Sequence, residues 1–144
     1  MTDRIYCANE AAIMVIDGAG DSVLATVTAG SGPRALCYNP TNNKVYCANW
    51  NGDNVTVIDG ATDEVLRTIA VGNSPIDFAW NPVQNRVYVA NRISNSVTVT
   101  DGRGCQSTDA VTVTANSYAP PHRFALLTPA SGATLPAGVV HFTW

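Results

Sequence analysis

Short runs of apolar residues, many of them β-branched or aromatic, follow one another along the first hundred residues of the chain. Each run is four to seven residues long and ends at Gly, Asp, Asn or Pro, as in Lys44–Asn49, Val55–Asp59 and Val65–Val71. Runs of this length, bounded by turn residues, are typical of β-strands rather than helices. Apolar side chains occupy both odd and even positions in them. The pattern therefore predicts an all-β chain whose strands are apolar on both faces.

The strand pattern repeats with a period of about 42 residues. Asp17, Asp59 and Asp101 are spaced by 42 and 42, and residues 41–60 match residues 83–102 at ten of twenty positions. The recurring strand has three copies, Arg4–Asn9, Lys44–Asn49 and Arg86–Asn91. A period of this length is typical of four-stranded repeat units.

A meander of four short strands that is apolar on both faces must be packed between copies of itself, and this is the arrangement of a β-propeller. We therefore predict a partial β-propeller of nearly three four-stranded antiparallel blades, WD40-like in architecture, followed by a C-terminal β segment. The first blade is expected to lack its inner strand, because the chain opens directly on the recurring strand. We expect the chain to be a fragment of a longer parent, since closed propellers typically contain four to eight blades.

The predicted propeller occupies residues 1–116, with repeats at about 3–32, 33–74 and 75–116. A Pro-rich linker is predicted at 117–123. Residues 124–144 contain two apolar runs, Phe124–Leu135 with Pro129-Ala-Ser-Gly132 and Val139–Trp144. They resemble the truncated start of an immunoglobulin-like or fibronectin III-like module of the bacterial extracellular kind. A second interpretation stays open, in which these last strands fold back and complete the third blade.

Two repeated stretches resemble the YVTN family of β-propeller repeats. They are Tyr46-Cys-Ala-Asn49 with Val55-Thr-Val-Ile-Asp59, and Tyr88-Val-Ala-Asn91 with Val97-Thr-Val-Thr-Asp101. The family motif reads Tyr-Val-Thr-Asn, from which both stretches depart mildly. The resemblance covers roughly residues 3–102. It implies the propeller fold and an exported or surface-layer context, but it implies no particular activity.

Composition and charge limit the classes of partner. Charged residues make up only 13% of the chain, the net charge is −3 and Lys44 is the single lysine. Without a basic run, a nucleic-acid partner is not expected. No stretch approaches the roughly 20 apolar residues that cross a bilayer. No signal peptide is visible, and we expect it upstream in the parent.

The cysteines match no zinc or redox motif. Cys7 and Cys47 occupy equivalent positions inside apolar strands, so we favour buried free thiols. A Cys37–Cys47 disulfide is the alternative, and the pairing of Cys105 is left open.

The sequence contains no recognisable catalytic or cofactor motif. His122 and His141 both lie in the tail, away from any nucleophile at a recognisable spacing. The repeated aspartates, such as Asp59 with Asp63, invite comparison with calcium ligands, but turn capping explains every copy. We therefore predict no catalytic residues, no cofactor and no metal.

Positions that break the repeat are better candidates for a binding site than positions that keep it. Trp50 and Arg92 occupy equivalent places after the recurring strand, where the first unit has Glu10. Three further candidates are Arg34, just after an inter-blade proline, Asn73, in the next inter-blade loop, and Asp77, on an innermost strand. The alternative for Trp50 is simple packing on the next blade.

These observations favour a non-catalytic binding or scaffold module of an exported, periplasmic or cell-surface repeat protein, with a protein or cell-surface ligand. The alternative is a fragment of a lactonase-like or redox-associated propeller enzyme whose catalytic residues lie outside this chain. Self-association through open blade faces is a third expectation, and it requires a heterologous interface that closes.

Overall fold

The chain folds into three antiparallel sheets without a helix across the residues that the computed structural model describes, 3–101 and 113–114. The strands are β1 (Arg4–Ala8), β2 (Ile13–Asp17), β3 (Val23–Val27), β4 (Pro33–Asn39), β5 (Lys44–Asn49), β6 (Asn54–Asp59), β7 (Val65–Ala70), β8 (Pro75–Asn81), β9 (Arg86–Asn91), β10 (Ser96–Asp101) and β11 (Val113–Thr114). Blade 1 is β1-β2-β3, blade 2 is β4-β5-β6-β7, and blade 3 is β8-β9-β10-β11. The prediction of an all-β partial propeller is confirmed. The predicted linker and C-terminal module lie outside the described residues.

The blades pack face to face, and the core lies between them. Val45, Cys47 and Ile58 of blade 2 are buried together with Ile13 and Val15 of blade 1. The opposite face of blade 2 packs on blade 3 through the residues Tyr46, Val55, Val57, Val87 and Val89. Blade 2 is therefore apolar on both faces because both are covered, as the sequence pattern predicts.

A buried polar link crosses each junction between blades. The Asn49 side-chain amide donates to Thr56 Oγ1 at 2.9 Å, and the backbone N–H of Gly30, in the chain crossing from blade 1, donates to the same oxygen at 3.3 Å. In blade 3 Asn91 and Gly72 bond to Thr98 in the same way. The repeated Asn and Thr positions therefore satisfy buried polar groups at the inter-blade crossings.

A second link joins blades 1 and 2 at the opposite end of the strands. Asp63, in the β6–β7 turn, forms an ion pair with Arg4 and accepts a hydrogen bond of 2.6 Å from the Tyr6 hydroxyl. Burial first, and then the hydrogen bond to Asp63, raises the pKa of Tyr6 to about 12. The carboxylate of Asp63 is thus engaged in holding two blades together.

The aspartates that open the β2–β3 and β6–β7 turns cap them, as expected. Asp59 Oδ1 accepts hydrogen bonds from the N–H groups of Ala61 and Thr62, and Asp17 Oδ1 accepts one from Ala19. The Asn51-Gly52 and Asp59-Gly60 pairs do not have positive φ, although Asn-Gly and Asp-Gly are typical of primed hairpin turns. The left-handed residue comes later, just before the next strand, in each longer turn; examples are Asp53 and Asp63, with φ of 51° and 63°.

The register of β4 on β5 shows whether Cys37 and Cys47 can form a disulfide. Cys37 pairs with Tyr46, and Leu36 pairs with Cys47, so the two cysteine side chains lie on opposite faces of blade 2. Cys7, Cys37 and Cys47 are free thiols, but only Cys47 is buried; the expected burial is wrong for Cys7, which is exposed because no blade covers its face of blade 1. The alternative of a Cys37–Cys47 disulfide is therefore wrong for this fold. Cys105 lies outside the described residues.

Candidate functional site

Three of the five candidate residues meet at one end of the blades, and we call them the Arg34–Trp50–Arg92 cluster. The Cζ atom of Arg34 lies 4.6 Å from the centroid of the Trp50 ring, and that of Arg92 lies 5.5 Å from it. Arg34 and Trp50 belong to blade 2, whereas Arg92 belongs to blade 3. A guanidinium within about 6 Å of an indole centroid is at cation–π distance.

Trp50 is positioned by the tip of blade 2. It follows β5, and its backbone N–H donates to the carbonyl of Gly32 at 2.8 Å, while Asn51 N–H donates to the carbonyl of Ser31. Gly32 has a φ of +68°, and a Cβ atom there would lie 2.8 Å from the Asn51 side chain. The positive φ therefore favours glycine here, although Ser74 adopts a similar φ of 55° at the equivalent place in blade 3. Trp50 itself is half-buried.

Arg34 is placed by a β-bulge. In blade 2 Pro33 pairs with Asn49 and Ala35 with Ala48, so Arg34 is the extra residue between two paired positions. Bulges re-aim side chains and are frequent beside functional sites. Blade 3 has the same bulge at Ile76. Arg34 is exposed at the start of β4.

Arg92 occupies in blade 3 the place that Trp50 occupies in blade 2. Its N–H donates to the carbonyl of Ser74 at 3.0 Å, which matches the bond between Trp50 and Gly32. The equivalence expected from the repeats is therefore present in the backbone hydrogen bonds. Trp50 does contact the next blade, as the packing alternative expects. The blade 3 residue that it contacts is the charged Arg92.

A cleft of about 500 Å³ opens beside the cluster between blades 1 and 2. Arg34 and Trp50 line it together with Glu10, Asn9 and Asn51. The cleft thus combines an indole, a guanidinium, a carboxylate and two amides. Glu10 lines the cleft because it occupies, in the first repeat, the position that Trp50 and Arg92 occupy in the second and third.

Of the other two candidates, Asn73 lies beside the cluster, because its carbonyl accepts a hydrogen bond from the N–H of Ile93, the residue after Arg92, whereas Asp77 lies on the inner strand of blade 3. Asn73 is exposed in the crossing to blade 3, at the place that Ser31 holds in the previous crossing. Asp77 is exposed on β8 and accepts a hydrogen bond from the N–H of Phe78. Burial, followed by the negative charge of Asp77, raises the pKa of the Cys37 thiol. The charge of Asp77 is therefore felt by Cys37 on the inner strand of blade 2. Asp77 forms no ion pair with Arg34 or Arg92.

Neither arginine of the cluster forms an ion pair with a carboxylate among the described residues. Among the described residues, the carboxylate of Asp63 pairs with Arg4 and with neither arginine of the cluster. Both guanidiniums are exposed, so their N–H donors are available to a ligand. The sequence identified all three residues by their departure from the repeat, but it missed the bulge and the cleft.

The described residues contain no group of three or more His, Cys, Asp or Glu side chains that could hold a metal ion. His122 and His141 lie outside them. The same residues include no helix that is long and apolar enough to span a membrane.

No protein-family model and no curated relative matches the chain. Many solved structures are similar to it, among them three that contain β-propellers. Hydrazine synthase of Kuenenia stuttgartiensis is 24% identical with a TM-score of 0.66, covering 70% of this chain and 30% of that one. Dihydro-heme d1 dehydrogenase NirN is 17% identical with a TM-score of 0.63, covering 78% and 24%. A chain of the mitotic checkpoint complex is 13% identical with a TM-score of 0.62, covering 69% and 32%.

These similarities show the fold alone. The three structures differ in function although they share the architecture, as expected when functional sites are built onto a common scaffold. This chain spans a third or less of each of them.

Proposed function

We propose that the chain is a non-catalytic binding module of a repeat protein, and that it binds through the loop end that carries the Arg34–Trp50–Arg92 cluster. The observation that carries the proposal is the convergence on one indole ring of two exposed arginines, neither of which is paired with a carboxylate of the described residues. Arg and Trp are the residue types most enriched at binding hot spots. Loops held by a rigid scaffold commonly carry binding.

The groups at this end suit recognition better than chemistry. Guanidinium, indole and amide groups supply hydrogen bonds and apolar contact. Glu10 is the one acid that lines the cleft. Nucleophilic or acid–base catalysis would need a nucleophile or base held by a partner group.

The proposed setting is an exported or cell-surface protein, with a protein or surface ligand. It is supported by the resemblance of Tyr46–Asn49 and Tyr88–Asn91 to YVTN repeats. The resemblance of residues 124–144 to an immunoglobulin-like or fibronectin III-like module also supports it. The presence of a similar propeller in the mitotic checkpoint complex is consistent with a role in protein–protein contact.

The test is the binding of the full chain to an array of surface-protein peptides and surface polysaccharides. We expect the Arg34→Gln/Arg92→Gln double variant to lose the signals that the unmodified chain gives. Arg86→Gln is the matched control, because Arg86 is exposed at the opposite end of the strand that precedes Arg92. Identical signals from the chain and its double variant would show that this end is not the binding surface.

The enzyme alternative is tested on the same protein. A lactone hydrolysis assay and metal analysis of the purified chain are expected to be negative. Turnover that survives the double variant and rises with protein concentration would replace the binding proposal with the enzyme interpretation.

A further inference from the structure

We propose that the Arg34–Trp50–Arg92 cluster binds the carboxylates of an extended acidic segment of a partner protein. This inference rests on the proposed binding function and names the chemical class of its ligand. It begins from the two guanidiniums, each of which lies over the same indole ring.

A guanidinium that lies over an aromatic ring uses its face in that contact, whereas its five N–H donors lie in its own plane. Those donors match the two oxygens of a carboxylate. Neither Arg34 nor Arg92 uses them in an ion pair with a described residue. The indole therefore holds both guanidiniums close to one ring, and neither is engaged by a carboxylate of the described residues.

The spacing of the arginines fits an extended peptide. Because both Cζ atoms lie within 5.5 Å of one centroid, they are at most about 10 Å apart. In an extended chain, side chains at i and i+2 point to the same side and are about 7 Å apart. Two acidic residues separated by one residue can therefore reach both guanidiniums, with the backbone between them near the indole.

Glu10 gives the bound segment a direction. It lines the cleft with Arg34 and Trp50, on the blade 1 side. Its carboxylate repels an acidic ligand that enters the cleft, because like charges near one another are unfavourable. The acidic segment should therefore run from Arg34 towards Arg92 and away from blade 1.

The probe is a blocked octapeptide of alternating glutamate and serine, labelled with a fluorophore and titrated with the full chain at low ionic strength. Its control is the same peptide with glutamine in place of glutamate. We expect the glutamate peptide to bind, the glutamine peptide not to bind, and added salt to weaken the complex. Arg34→Gln and Arg92→Gln should each weaken binding by about fivefold or more.

Two further variants separate a specific site from general attraction. Arg86→Gln removes the same charge at the other end of blade 3 and should leave affinity unchanged. Glu10→Gln should tighten binding by about twofold or more, which general loss of structure would not do. If Arg34→Gln or Arg92→Gln unfolds, as judged by circular dichroism, the corresponding lysine variant replaces it. Lysine keeps the charge but loses the planar fork, and it should also bind more weakly.

The outcomes distinguish this inference from the proposed function. If an oligogalacturonate binds in an arginine-dependent way and the peptide does not, the ligand is an acidic polysaccharide and the inference is overturned, while the binding function stands. If the arginine variants reduce binding to the array of peptides and polysaccharides but neither acidic probe binds, the inference is likewise overturned and the binding function stands. If glutamate and glutamine peptides bind equally, carboxylate recognition is wrong. If nothing depends on Arg34 and Arg92, both proposals fail.

Discussion

At the scale of single residues, the same amino acid at the same repeat position meets different surroundings in different blades. Cys7 and Cys47 are equivalent in the repeat, yet Cys7 is exposed and Cys47 is fully buried. The difference arises because blade 1 covers the face of blade 2 that holds Cys47. The same face of blade 1 is not covered in this way. Burial is therefore a property of the junction and not of the strand.

The reactivity of the two thiols should follow this difference. We expect iodoacetamide to modify Cys7 in the native chain, while Cys47 reacts only when the chain is unfolded in urea. Burial raises the pKa of Cys47 to about 11, and the thiolate is the reactive form. Mass spectrometry of peptides after labelling measures both sites separately. Equal native labelling of the two cysteines would contradict the buried position of Cys47.

The raised pKa of Cys47 also predicts a pH dependence of stability. Between the ordinary thiol pKa of 9.0 and about 11, the unfolded state loses this proton more readily than the native state. The free energy of unfolding should therefore fall as pH rises through that window. Cys47→Ala removes this contribution, so its urea midpoint should fall less over the same range. An identical fall in both proteins would contradict the assignment.

At the scale of elements, the turns show which positions the backbone restricts. Asn95, in the β9–β10 turn, has a φ of +47°, and Asn43, Asn85 and Asp53 hold the corresponding place in other turns. Asn and Asp tolerate this left-handed region better than other non-glycine residues. The recurrence of Asn and Asp just before strands therefore has a steric cause.

Replacement of Asn95 by a β-branched residue should destabilise the chain. We expect Asn95→Val to lower the free energy of unfolding by about 1–2 kcal/mol, because a branched Cβ disfavours positive φ. Asn95→Gly should have little effect. Gln84→Val is the control, since Gln84 is an exposed turn residue that is not left-handed. Urea denaturation measures all three, and equal losses from the two valine variants would show that φ is not the cause.

At the scale of the whole molecule, blade 1 presents an apolar face of the kind that the other junctions bury. Ile5 is equivalent to Val45 and Val87, which are 1% and 0% exposed, whereas Ile5 is 45% exposed. Leu24 in the outer strand of blade 1 is also exposed. A face built to pack on another blade tends to associate when it is open to solvent.

We therefore expect the isolated chain to self-associate in a concentration-dependent way. Ile5→Lys should lower the solution mass measured by light scattering on a sizing column, because it places a charge in that apolar face. Val83→Lys is the control, as Val83 is 91% exposed in a turn away from this face. A monomer at every concentration, or equal masses for the chain and Ile5→Lys, would contradict the expectation.

The sequence by itself determined the blades and where they turn. The period of 42 residues, the short apolar runs bounded by turn residues and the capping aspartates Asp17 and Asp59 are local or repeated signals, and strand pairing follows from them. The comparison of repeats also identified Arg34, Trp50 and Arg92 as departures. Their grouping was not predicted, because Arg34 and Arg92 are far apart in the chain and belong to different blades.

Tertiary structure decided what those residues do together. The bulge at Arg34 aims its side chain, the junction of blades 2 and 3 brings Arg92 over Trp50, and the junction of blades 1 and 2 forms the cleft beside Glu10. Packing between blades likewise separates Cys47 from Cys7 and places Cys37 and Cys47 on opposite faces. Repeats encode each blade locally, whereas a site between blades depends on their relative placement, which is fixed only when their apolar faces pack.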